Sequence, residues 1–302
     1  MNARVVSWPS VVALVGLAVT GGSGCVISVD TERVTTRDEK RWTVSGVPDV
    51  SLTTFDGSIE VRSWERPEVL VVVEKQAADK ELAEAIQVKI EQSGDTIRLE
   101  VVKPAVSKTL FGLKTSPSAR LVATVPRRCN LTARSGDGSI EFARVDGRID
   151  LDTGDGSVSV SEVTGSLRVH TGDGSLRLED IVGIVDADTG DGTGRLSGRL
   201  SGVRFRTGDG SIVVRVEDGS AMAADWEIRT GDGSITVETP EDFPALLDAS
   251  TGDGRVRAEG LQPPTRTEDH EDSQRALRGP LAGGGRLLRL RTGSGAIVVK
   301  RL

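Results

Sequence analysis

Tyrosine is missing from this 302-residue chain, and only five Phe and four Trp are present. So thin an aromatic complement argues against an aromatic-lined substrate pocket. There are two histidines, His170 and His270. Neither has a nearby Ser or Cys that suggests a triad, and two His make no zinc site without further ligands. Cysteine is equally scarce, at Cys25 and Cys129. Basic residues are not in excess: 38 Lys and Arg against 45 Asp and Glu leave a net charge of −7, which gives no reason to expect nucleic acid. The apolar run VVALVGLAV at residues 11–19 is too short to span a bilayer as a helix. Glycine is what the chain has in quantity, 36 residues, with Val, Leu, Ile and Ala as the main apolar types. That composition suits many short strands joined by glycine turns.

The apolar run follows Arg4 and reads as the core of an export signal occupying residues 1–24. It closes on TGGSGC. A Cys directly after small residues resembles the bacterial lipobox, in which Cys25 becomes diacylated and is the new N-terminus. Ser23 and Gly24 fit that pattern, while Gly22 stands where Leu is usual. The alternative is an ordinary secretory signal with an incidental Cys. Val26 in place of Asp after the Cys makes the outer membrane the expected destination in a cell that has one. Residues 26–41 are then expected as a tether. With Cys25 lipidated, Cys129 has no partner for an internal disulfide, and within VPRRCNL it is expected as a buried structural thiol.

The strongest signal is an internal repeat. The central Asp of a GDG turn recurs at Asp137, Asp155, Asp173, Asp191, Asp209, Asp232 and Asp253; the first four intervals are each 18 residues, and the next two are 23 and 21. A last copy carries Ser294 in the Asp position. In GDGSVSVSEVTGSLRVHT the apolar residues alternate on both sides of a turn, which means strands with one face buried. Eighteen residues are too few for a βαβ unit and suit one coil of a parallel β-solenoid, each strand pairing with its copy in the next coil. The columns so formed are consistent. One inward column runs Ala133, Leu151, Val169, Ala187, Phe205, Ile228, Ala249, Leu290, and a second runs Leu131, Ile149, Leu167, Val185, Val203, Trp226, Leu247, Leu288.

The outward columns carry charge. One reads Arg134, Asp152, His170, Asp188, Arg206; the other reads Thr132, Asp150, Arg168, Asp186, Arg204, Glu227. In-register stacking sets each residue about 4.8 Å from its copy. There unlike charges help by roughly 0.2–1 kcal/mol per pair and like charges repel. Alternation of sign at an 18-residue offset is what such stacking favours. Glu141, Ser159, Arg177 and Arg195 form a column that does not alternate.

Outside the regular coils, residues 42–130 read as a separate N-terminal β segment. VSLTTFDGSIEV (50–61) is a first strand–turn–strand copy. Residues 69–75 then form a strand, 77–85 a short helix, 86–102 a hairpin, 103–118 an exposed loop and 119–125 a returning strand. The solenoid proper is expected over 131–302. An excursion at 261–285, rich in Pro, Gly and mixed charge, precedes RLLRLRTGSGAIVV as capping strands.

Two chemistries stand against plain architecture. Seven carboxylates one strand apart could bind a row of Ca²⁺. However, the nonapeptide calcium repeat needs nine-residue spacing, and the EF-hand loop needs acids where Leu151 and Thr153 stand. The favoured reading is a corner, with Asp accepting backbone N–H bonds, Gly supplying φ > 0, and the Thr column (Thr153, Thr171, Thr189, Thr207, Thr230, Thr251) joining from inside. No resident metal or other cofactor is expected. Catalysis is disfavoured because an active site is normally a local departure from a repeat, and these acids recur in every coil; no catalytic residue is assigned.

TFDGSIEV, VPRRCNL, the GDGSI/V coils and the closing RLRTGSGAIVV resemble the bacterial "putative adhesin" family of repetitive β-strand envelope proteins, related to the head GIN domains of autotransporter adhesins. The resemblance covers about residues 42–302. It implies an all-β, right-handed β-helix at the cell envelope and brings no catalytic residues. The expectation is an exported, lipid-anchored solenoid with a structural or adhesive role, binding a surface protein or glycan and no nucleic acid. An envelope-stress accessory acting through a membrane partner comes second, and a polysaccharide-active enzyme third.

Overall fold

The computed structural model describes residues 34–104, 109–110, 113–114, 116–261 and 274–302. The expected export signal at 1–24, Cys25 and His270 lie outside them. In chain order the strands are β1 (Val34–Thr43), β2 (Asp49–Thr54), β3 (Ile59–Trp64) and β4 (Glu68–Ala77), followed by the helix α1 (Lys80–Ala85). Then come β5 (Gln87–Ser93), β6 (Thr96–Val102), the two-residue strands β7 (Thr109–Leu110) and β8 (Leu113–Lys114), β9 (Ser118–Pro126), β10 (Asn130–Ser135), β11 (Ile140–Ala143) and β12 (Asp146–Thr153). Three 14-residue strands follow: β13 (Val158–Thr171), β14 (Leu176–Thr189) and β15 (Gly194–Thr207). The remainder are β16 (Ile212–Val216), β17 (Trp226–Asp232), β18 (Ile235–Thr239), β19 (Ala245–Asp253), β20 (Val256–Glu259), β21 (Ala276–Leu281), β22 (Arg286–Ser294) and β23 (Ile297–Arg301). Among the described residues no helix is long and apolar enough to cross a membrane.

Twenty-one of these strands form one open sheet, folded into two walls that meet at the GDG corner. In the first wall β6, β2, β10, β12 and the second halves of β13, β14 and β15 stack in parallel, continuing into β17. The second wall stacks β9, β3, β11, the first halves of β13–β15, β16 and β18. The 18-residue offset is kept residue for residue: Leu151 pairs with Val169 and Val169 with Ala187. Both inward columns named above are buried along their whole length. Antiparallel strands close the stack, β5 on β6 at one end with β4 and β1 beside β9, and β21 on β19 at the other.

Five expectations change. Residues 34–41 are not tether but most of β1, in register with β4 from Val34–Ala77 to Thr43–Glu68. The split at residue 130 is not a boundary either: β2 and β3 pair in parallel with β10 and β11, and residues 33–302 form one unit. The helix is shorter than expected because Ala77 still belongs to β4 and Asp79 caps α1, its carboxylate accepting the Leu82 N–H at 2.7 Å. The excursion at 261–285 includes a strand, β21, on the outside of β19.

The fifth change concerns the C-terminal strands. β22 and β23 do not cap the solenoid. They lie inside it, β22 between β17 and β19, and β23 between β18 and β20. The N-terminal end does the same, with β2 and β3 inserted between β6/β9 and β10/β11. Charge explains the C-terminal insertion. In strict chain order Glu227 would face Asp248, and Glu238 would face Glu259. With β22 and β23 inserted, Arg289 separates the first pair and Lys300 the second.

Candidate functional site

The GDG corner is an architectural edge. All seven Asp side chains in it are exposed. The GDG glycines before Gly254 do not occupy the left-handed region, contrary to the expectation of φ > 0. Close approach is what excludes a side chain: a Cβ on Gly156 would lie 2.2 Å from the Gly138 carbonyl oxygen. Left-handed backbone belongs to the second, weaker turn, at Glu162 (φ 54°) and Gly165 (φ 131°). Nor do the Asp side chains tie the corner through backbone N–H groups. Six of the seven, all but Asp253, lean over the first Gly of the adjacent coil, and a Cβ on Gly154 would meet Asp137 Oδ1 at 2.8 Å.

The corner is held by the buried hydroxyl column instead. Thr153 donates to Gly138 O, Thr171 to Gly156 O and Thr189 to Gly174 O, each at 2.8 Å. Thr207, Thr230, Thr292 and Thr251 continue the series to Gly192, Gly210, Gly233 and Gly295 at 2.8–3.0 Å. Each bond links one coil to the one stacked beside it. Among the described residues no three His, Cys, Asp or Glu side chains converge as a metal-binding group.

The outward face of the first wall is where charge is organised. Asp150 faces Arg168, Arg168 faces Asp186, Asp186 faces Arg204 and Arg204 faces Glu227. Glu227 then faces Arg289, Arg289 faces Asp248 and Asp248 faces Arg278. The sign alternates across all eight positions. Ion pairs close at Arg168–Asp186 (3.4 Å), Arg204–Glu227 (3.7 Å) and Arg278–Asp248 (3.0 Å).

The neighbouring column begins in the same way. Arg134 faces Asp152, which faces His170; His170 faces Asp188, with Nδ1 at 3.6 Å, and Asp188 faces Arg206. Alternation then fails, because Arg206, Arg229 and Arg291 stand on consecutive strands. Like charges at this separation repel by about 1 kcal/mol in water. Two of the three lean diagonally onto carboxylates of the first column: Arg206 Nη2 reaches Glu227 at 2.9 Å, and Arg291 is tightly bonded to Asp248. Arg229 is exposed and makes no hydrogen bond or ion pair among the described residues. Arg206 Nε is buried without a partner.

These pairings set the acidity of both carboxylates. The Arg206 hydrogen bond, outweighing partial burial, holds Glu227 below the usual range. Burial opposes ionisation of Asp248, but hydrogen bonds and charge from Arg291 and Arg278 outweigh it, and its pKa also falls. A cleft of about 360 Å³ runs beside this patch, lined by Arg204, Asp225, Glu227 and Arg289. Another, of about 600 Å³, opens at the far edge of the stack, where Arg66 lies 5.2 Å over the Trp64 ring and Arg127 pairs with Asp146 at 3.0 Å.

The structure thus sets the ladder residues Arg134, Asp150, Asp152, Arg168, His170, Asp186, Asp188, Arg204 and Arg206 on one face, in the expected register. It adds Arg229, which follows Arg206 in chain order, and Asp248, Arg278, Arg289 and Arg291. Requiring an unlike neighbour for Glu227 would have revealed Arg289.

The Toastrack DUF4097 family matches residues 28–300, so the chain belongs to that family. No curated protein matches it. Among solved structures it is similar to a "putative adhesin" from Bacteroides fragilis NCTC 9343, with 10% identity, TM-score 0.42 and coverage of 88% of this chain and 97% of the other. A "putative cell adhesion protein" from Clostridium sporogenes ATCC 15579 shows 13% identity, TM-score 0.30 and coverage of 89% and 100%. A "putative lipid binding protein" from Parabacteroides distasonis ATCC 8503 shows 11% identity, TM-score 0.33 and coverage of 88% and 96%.

Proposed function

We propose that this Toastrack-family chain is an exported protein of the cell envelope, anchored by a lipid on Cys25. In this reading its right-handed solenoid serves, without catalysis, as an adhesive or structural surface for a partner protein or glycan, with the outer membrane as its site. The observation that carries the reading is the eight-position ladder from Asp150 to Arg278 on the outward face of the first wall. Backbone register fixes those charges at strand spacing, so a partner meets a rigid ionic surface whose ordering cost has already been met in folding. A soluble scaffold would gain from such a ladder too, so the test must read location and contact together. Cys25→Ala in the full-length chain should release it from the membrane fraction and abolish labelling by radioactive palmitate. Photo-crosslinkers placed at Arg168 and Arg289 should capture an envelope component in intact cells. Unchanged membrane association of C25A, or no adduct from either position, would reject the reading.

A further inference from the structure

The two outward columns obey one rule nearly everywhere: each charge is stacked on its opposite. The rule breaks once among their consecutive charged positions, where Arg206, Arg229 and Arg291 follow one another. A repeat protein reveals a specialised site as a departure from its repeat, and this departure has three marks. It is costly to the fold, because like charges repel at strand spacing. It is incompletely neutralised, because Glu227 serves Arg206 and Asp248 serves Arg291, leaving Arg229 without a carboxylate. It is also broadened by Arg204 and Arg289 in the adjacent column, so five guanidinium groups stand around Glu227 and Asp248, flanked by Asp186 and Asp188 on one side and Arg278 on the other, on a chain whose net charge is −7.

We infer that the Arg206–Arg229–Arg291 run binds an acidic polysaccharide, with a sugar carboxylate seated on Arg229 and neighbouring carboxylates along the stack. This rests on the reading of the face as a binding surface and names its ligand class. A guanidinium accommodates a carboxylate with two parallel hydrogen bonds, which a point charge cannot do. The three arginines lie in a line at about 4.8 Å intervals, suiting an extended polymer with an acid on each sugar better than a single small anion. No Phe, Tyr or Trp stands in either outward column, and the one imidazole, His170, lies three strands from Arg229, so nucleobases would find nothing to stack on beside the run.

The experiment uses the full-length chain in detergent, with labelled polygalacturonate as the probe, neutral dextran as the control and phosphatidylglycerol vesicles as the competing anionic surface. The wild type should bind polygalacturonate at low salt and leave dextran in solution. Arg229→Glu should weaken binding at least tenfold while raising the melting temperature, because a carboxylate at that position would restore alternation between Arg206 and Arg291. Arg229→Gln should weaken binding with little change in melting temperature, and Arg195→Gln on the second wall should leave binding unaltered. No binding by the wild type, or equal binding by R229E, overturns the proposal. So does vesicle binding that R229E abolishes without any affinity for the glycan. Palmitate labelling and crosslinking that persist alongside such a failure would leave the envelope reading standing and remove only this ligand.

Discussion

Lys300, on β23, holds its ammonium 2.9 Å from the Glu238 carboxylate. On its other side, in register, stands Glu259. This contact and the matching one of Arg289 between Glu227 and Asp248 select the inserted position of the last two strands. Lys300→Glu would place three carboxylates in a row and should destabilise the protein by about 1 kcal/mol. Adding Glu238→Lys should recover part of the loss in a double-mutant cycle followed by chemical denaturation. Strict additivity of the two substitutions would show that the register does not depend on this ladder.

Burial makes the inserted strands interior ones. Leu288, Leu290, Ile297 and Val299 are each fully buried. Leu290→Ala should therefore cost about 3 kcal/mol, as an interior truncation does. A strand fraying at the end of a stack would lose far less. A cost below about 1 kcal/mol, measured by urea unfolding, would contradict the insertion.

At the corner, hydroxyl and glycine have separable tasks. Thr171→Val keeps the shape but leaves the Gly156 carbonyl without its 2.8 Å bond, and should cost about 1–2 kcal/mol. Gly174→Ala would drive a Cβ to 2.1 Å from the same carbonyl and should cost more, since backbone rather than a flexible side chain must yield. Thermal melts that rank T171V below G174A would reverse the assignment of what holds the corner.

Acid should loosen the C-terminal end of the first wall. Glu227 and Asp248 both have depressed pKa values in the folded state. Their stabilisation is complete above the unfolded-state values and is lost as pH falls through the folded ones, hence from about pH 4 downward. Asp248→Asn should lower the melting temperature at neutral pH, leaving Arg278, Arg289 and Arg291 against a neutral amide. It should also flatten the decline below pH 4. A decline parallel to that of the wild type would show that Asp248 carries none of it.

Cys129 reports on the native state. It is fully buried, and burial, reinforced by the charge of Asp49, pushes its thiol up to about 12. Iodoacetamide at pH 8 should leave the Cys129 peptide unmodified in the folded protein and alkylate it rapidly in guanidinium, as read by mass spectrometry. Fast modification without denaturant would place the thiol elsewhere.

Much of this was legible in the residues. Period-2 alternation on an 18-residue offset marked the walls from Leu131 to Phe205, and sign alternation marked their register. Even an irregular copy has its reason: GDGTG has Gly194 where its siblings carry Val158 or Leu176, because a Cβ there would meet the Phe205 ring at 2.2 Å. What stayed hidden was strand order at the two ends. A repeat unit specifies the shape of its neighbours but not which copy takes that place, and inward columns of Leu, Ile and Ala tolerate any order. Only the outward charges discriminate, and three of those positions lie beyond the interruption at 261–285.

With β22 and β23 seated inside the stack, completion of the fold waits on a segment that comes late in the sequence. During synthesis, β19 and β20 gain their parallel neighbours only when residues 286–301 have emerged. A chain clipped before Arg286 is therefore not a slightly shorter solenoid. It is one with a rung missing, with β17, β18, β19 and β20 all left open along an edge. β22 and β23 thus make the continuity of the sheet depend on strands distant in sequence, and their loss would open unpaired edges within the stack rather than at its end.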